Sequence, residues 1–165
     1  MARDFGSVAT IVTTDFEALY AYKLGDYKGC LKLSTQNVHT LLYNTRNNAV
    51  VTPFEQFIQL LDDDIVSLVA LTLIVDPERD ITTYISITQF TLSLFLMTQC
   101  QLKLRHSLKS LPATLRYIEV AKRTVVADAT LNRLILNLIE RRVSDAIRKV
   151  KSKTRLSKAK TKAKA

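Results

Sequence analysis

Residues 54–75, FEQFIQLLDDDIVSLVALTLIV, and residues 81–104, ITTYISITQFTLSLFLMTQCQLKL, hold the densest apolar material in the chain. The first stretch predicts a helix. Thr52 is placed to cap it, Pro53 sits where its missing donor costs nothing, and Glu55 completes a capping box. Phe54, Phe57, Ile58, Leu61, Ile65, Leu68, Val69 and Leu73 fall along one side. Leu60, Val66, Leu71 and Ile74 widen that side until little polar face is left, the pattern of a central helix. Asp76-Pro77-Glu78-Arg79-Asp80 reads as a turn, because Pro77 disfavours helix at Asp76. In the second stretch ITTYISIT is rich in β-branched residues, but no partner strand follows from the pattern, and an isolated strand is not stable. Phe90, Leu94, Met97 and Cys100 are spaced as a helix, expected from about Thr83 to Ser110 with an irregular first turn. The two stretches are thus expected to be two long helices packed on each other, with Leu68→Ala costing about 2–5 kcal/mol as a core truncation.

Shorter helices flank this pair. Thr14 and Glu17 form a capping-box pattern, followed by Phe16, Leu19, Tyr20 and Lys23 at helical spacing. Leu24-Gly25-Asp26 should end that helix. Gly25 supplies the left-handed stop, and Asp26 caps the next helix, over Tyr27 to Leu42. So short a turn makes the two helices antiparallel neighbours. Residues 43–51 read as a polar loop. After residue 110, Pro112 to Arg123 reads as a short helix. A last helix, capped by Asp128, carries Leu131, Leu134, Ile135, Leu138, Ile139, Val143, Ala146 and Ile147 on one face. No Gly or Pro separates Arg123 from Asp128, so these two could be continuous.

The stretch AYKLGDYKGCLKLSTQNV, residues 21–38, resembles the middle of a tetratricopeptide repeat. Gly25, Asp26 and Tyr27 match its turn. Ala18 matches the small residue of its first helix, and Cys30 stands where Ala is usual in the second. Thr14, Ser34 and Asn37 depart from the pattern, no proline closes the unit, and no second copy follows. The resemblance, over Ala18 to Val38, implies a helical hairpin of a kind that presents a concave groove to a protein or peptide. Some members hold a peptide's terminal carboxylate with Lys and Asn. Asp15 and Leu19 stand at those places, so no ligand residues carry over.

The chain has 165 residues, enough to bury a core without disulfide or metal staples. Three glycines and three prolines leave room for a few long elements. The expectation is an all-α chain of about six helices in antiparallel hairpins, either tetratricopeptide-like or a closed bundle. Residues 1–13 form an N-terminal arm, 14–150 the helical domain, and 151–165 a disordered Lys-rich tail. The formal charge of +9 lies wholly in residues 148–165. Residues 148–165 hold nine Lys/Arg and no acid, and residues 1–147 hold 15 of each sign. Within the body, residues 1–80 have a net charge of −5 and residues 81–147 of +5.

Arg148, Lys149, Lys151, Lys153, Arg155, Lys158, Lys160, Lys162 and Lys164 are therefore the candidate polyanion-binding residues. Such cations bind nucleic acid by releasing counterions, and no aromatics interleave with them to stack on bases. No other site emerges. Asp62-Asp63-Asp64 are consecutive, so on a helix they point about 100° apart and do not converge on an ion. His39 and His106 lack partners at ligand spacing, and Gly6, Gly25 and Gly29 form no phosphate loop. Cys30 and Cys100 are expected as reduced, buried thiols. No catalytic residue, cofactor or metal is expected. The eleven-residue apolar run from Ile65 to Val75 is too short to span a bilayer, which needs about 20. An intracellular protein-interaction module is the leading expectation, with nucleic-acid association through the tail as the alternative.

Overall fold

A computed structural model of the chain describes residues 8–44, 63–75, 87–105, 109–125 and 129–162. Six helices account for nearly all of these residues: α1 (Val8–Lys23), α2 (Tyr27–Asn44), α3 (Asp63–Val75), α4 (Gln89–Leu104), α5 (Leu111–Thr124) and α6 (Thr130–Lys162). The all-α class is as the sequence predicts.

The α1–α2 hairpin closes as expected. Gly25 adopts φ +79, where a side chain would be strained. Its amide donates to the Tyr22 carbonyl, and the Asp26 amide donates to the Ala21 carbonyl. Those two bonds are a Schellman stop. The Asp26 carboxylate then accepts from the Gly29 amide at 2.9 Å, capping α2. A Cβ on Gly29 would lie 2.2 Å from that carboxylate, so the cap also needs glycine at 29. Ala18 and Cys30, both fully buried, are among the residues that let the two helices approach. The upstream boundary differs from expectation. α1 begins at Val8, so residues 8–13 are helix rather than arm, and Thr14 lies within it. Its hydroxyl donates to the Thr10 carbonyl at 2.8 Å instead of capping. Ile11, Asp15, Ala18, Leu19 and Tyr22 form the buried stripe that extends the helix upstream.

The centre is α4. Each side chain from residue 89 to 101 is buried, and the helix touches α1, α2, α5 and α6. It is shorter than the expected span of residues 83–110. Thr88 caps its start, accepting from the Thr91 amide at 3.2 Å, and Arg105 ends it in the left-handed region. Residues 81–86, the ambiguous ITTYIS, lie outside the described residues. So do the capping box at Thr52 and Glu55 and the turn at residues 76–80.

Among the described residues the two apolar stretches are not each other's main packing partners. α3 packs chiefly on α6, with Ile65 buried and Leu68 and Val69 half-buried. Its far side is open, with Val66 44%, Leu71 50% and Ile74 75% exposed. Leu68 is therefore flank rather than core, and truncating it should cost less than a core deletion.

α5 runs antiparallel to α6, joined by Lys122 Nζ donating to Glu140 Oε2 at 2.5 Å. The two are separate helices, since Val125 turns extended after α5. Asp128 lies outside the described residues. Leu131, Ile135, Leu136, Ile139 and Val143 form the buried stripe of α6. Past Val143 this stripe thins, and residues 151–155 are all exposed. The tail thus leaves the packed body near residue 150, as the charge layout suggests, while its backbone continues as helix to Lys162. No packed face supports it at residues 151–155. Lys149 with Lys153 and Lys151 with Arg155 place like charges one turn apart, which weakens a solvated helix.

Candidate functional site

The projecting half of α6 sorts its cations by face. Ser144, Ile147, Arg148, Lys151, Ser152 and Arg155 recur at three- and four-residue spacing, so they share one side of the helix. Together with Leu115 of α5 they line a cleft of about 640 Å³ that is open to solvent along its length. Leu115 and Ile147, both half-buried, make an apolar floor. Arg148, Lys151 and Arg155, all exposed, make a cationic rim. Asp145 is the only acid near the rim on α6 after Glu140, and it accepts from Arg148.

Of the nine sequence-predicted cations, three therefore converge on one cleft. Lys149 and Lys153 are exposed on other sides of α6. Lys158, Lys160 and Lys162 lie on the helix, and Lys164 falls outside the described residues. The cleft itself was not foreseen. Its signal was available: Ile147, Arg148, Lys151 and Arg155 follow a helical period straight out of the buried stripe, so the tail's first turns inherit a face from the body.

A second arrangement is internal and was missed entirely. Asp15 is fully buried between α1, α2 and α4. Its Oδ1 accepts from Asn37 Nδ2 at 2.9 Å and from Ser93 Oγ at 2.6 Å. Asn37 Nδ2 also donates to the Ile11 carbonyl at 3.0 Å. Oδ2 has no partner. Burial pushes the Asp15 carboxyl up to about 7, and the bonds from Ser93 and Asn37 offset only part of that rise. The same three helices bury Cys30 and Cys100 as free thiols. The Cys100 thiol beside it, together with burial, pushes Cys30 well above the ordinary thiol range, which makes it a poor nucleophile. The cluster joins three helices and offers no opening to a substrate. A carboxylate at a core position of the Ile11–Ala18–Leu19–Tyr22 stripe was the readable clue.

The remaining expected features fall into place around these. His39 is exposed and meets Tyr117 edge-on, with ring centroids 5.8 Å apart and Tyr117 Oη 3.4 Å from Nε2. His106 lies outside the described residues. Asp63 is exposed, and among the described residues no group of His, Cys, Asp or Glu is placed to hold a metal ion. Among them, too, no helix is long and apolar enough to cross a membrane. No protein-family model, no curated protein and no solved structure matches this chain.

Proposed function

We propose that this chain is a helical protein-interaction module that recognises an anionic partner at the α5–α6 edge. The observation that carries this reading is the cleft. It joins an apolar floor, Leu115 and Ile147, to a rim of Arg148, Lys151 and Arg155. Cations alone would serve any polyanion. A floor of aliphatic side chains adds something only for a partner with apolar surface of its own. The burial of α4 over residues 89–101 supports binding at this edge rather than in a concave groove between repeats.

The alternative is association with nucleic acid through the whole tail. What favours it is the run of nine cations without an acid over residues 148–165. The two readings separate in one experiment. Proteins captured by the full chain are compared with those captured by Lys151→Glu/Arg155→Glu, before and after nuclease treatment. The module reading expects capture that survives nuclease and is lost in the variant. Capture abolished by nuclease would transfer the function to nucleic acid. In that case binding to a duplex should weaken steeply with salt, and the salt slope should fall by about 0.9 for each cation removed.

A further inference from the structure

We infer that the partner's docking element is an acidic, amphipathic helix lying along α6 between Ser144 and Arg155. This rests on the proposed function and names its ligand class. The lining residues on α6 run from Ser144 to Arg155, about 16 Å along its axis. That is the length of three helical turns. The cleft is an open trough rather than an enclosed cavity, so it suits a rod better than a compact small molecule. Its floor lies at one end and its rim runs on from it. Leu115 and Ile147 lie at the body end, and Lys151 and Arg155 line the trough as it leaves the body.

A helix with aliphatic residues at three- and four-residue spacing and carboxylates beside them complements both. Its apolar stripe covers Leu115 and Ile147. Its carboxylates meet Lys151 and Arg155, which repel one another without it. An extended phosphate backbone would satisfy the rim and leave the floor uncovered. A charge-free apolar helix would satisfy the floor and leave the cations unpaired. Docking also gives residues 151–155 of α6 the packed face they lack, so binding and helix stability in residues 148–155 are linked.

The experiment uses the full chain and fluorescent peptides of roughly 12–15 residues, long enough for three turns. One peptide has Leu and Glu patterned on a helix, a second scrambles the same residues, and a third is poly-Glu. A short DNA duplex is the fourth probe. Anisotropy titrations are run at low and moderate salt. The patterned peptide should bind roughly ten-fold tighter than the scrambled one, the margin expected from one or two buried aliphatic contacts. Leu115→Gln should remove that margin while leaving poly-Glu binding unchanged. Lys151→Glu/Arg155→Glu, which alters only exposed side chains, should remove binding of all three peptides with no change in thermal unfolding.

Equal binding of patterned and scrambled peptides, unaffected by Leu115→Gln, would overturn the inference and leave a surface that reads charge alone. Tighter binding of the duplex than of any peptide would overturn it in favour of nucleic acid. Failure of all four probes to bind would defeat the inference and the proposed function together.

Discussion

Between residues 65 and 75, α3 has only Ser67 and Thr72 as polar residues, yet Val66, Leu71 and Ile74 face outward. Between residues 89 and 101, α4 has six polar residues, yet every side chain is buried. The less apolar helix is the interior one. Part of the difference lies in what two of these polar residues do, Ser93 and Gln101, whereas Gln89, Thr98 and Gln99 each bury a polar atom with no hydrogen-bond partner. Ser93 donates to Asp15 of α1, and Gln101 bonds both Ser110 and Thr114 at the start of α5. The Thr88 amide, at the cap of α4, donates to Asn132 of α6. These bonds tie α4 to its neighbours in one register, and Ser93 and Thr98 are small enough to be fully buried there. Aliphatic side chains alone favour burial without choosing a partner. Apolar content states a demand for burial. Complementary polar groups and small residues decide which helix has it met.

The largest expected effect tests the centre. Phe95, 1% exposed, should cost about 3–5 kcal/mol when truncated to Ala, measured by urea unfolding. A loss near that of an α3 truncation would erase the distinction between the two helices.

Next comes the polar contact between α1 and α4. Asp15 holds its proton up to about 7 in the folded state, against 3.8 for an ordinary Asp. Its raised value means the folded form binds more protons than the unfolded form between those limits. The stability this provides is complete below about pH 4 and is lost as pH rises through 7. Asp15→Asn keeps the acceptor for Asn37 and Ser93 and removes the titration. The variant should therefore gain on the wild type as pH rises from 4 to 8, by about 2–4 kcal/mol. A constant difference across that range would show that Asp15 is not forced to ionise in the interior.

Smaller effects belong to α3. Leu68→Ala should cost about 1–2 kcal/mol, below a core deletion because the side chain is only half-buried. Ile74→Ser, at a site 75% exposed, should change stability by less than about 0.5 kcal/mol. A loss at Ile74 as large as at Phe95 would put α3 inside a second core.

The contrast also explains which features were legible in the sequence. Gly25 and Asp26 announced the α1–α2 turn because a Schellman stop and an Asp cap are local devices, fixed within six residues. The buried stripe of α6 was legible for the same reason, since Leu131, Ile135, Ile139 and Val143 lie on one helix. The place of α3 was not, because hydropathy around Leu68 does not say which helix will be near. The early start of α1 was hidden by β-branched Val8, Thr10, Ile11 and Val12, which favour strand locally and are overruled by packing of Ile11. Of the candidate site, the cations were plain. Their division into a cleft face with Arg148, Lys151 and Arg155 and other faces with Lys149 and Lys153 depended on α6 continuing as helix. The floor residue Leu115 depended on tertiary contact alone. Asp15 stood out as a carboxylate on an apolar stripe, but only once that stripe was seen to begin at Ile11.

Amide hydrogen exchange across the full chain tests the central claim most directly, because it reads all the helices at once. A buried α4 with α3 on the flank and a projecting end to α6 predicts three tiers. Amides of residues 92–104 should exchange only through global unfolding, those of 67–75 faster, and those of 151–162 fastest. Protection of residues 67–75 equal to that of 92–104 would contradict the account.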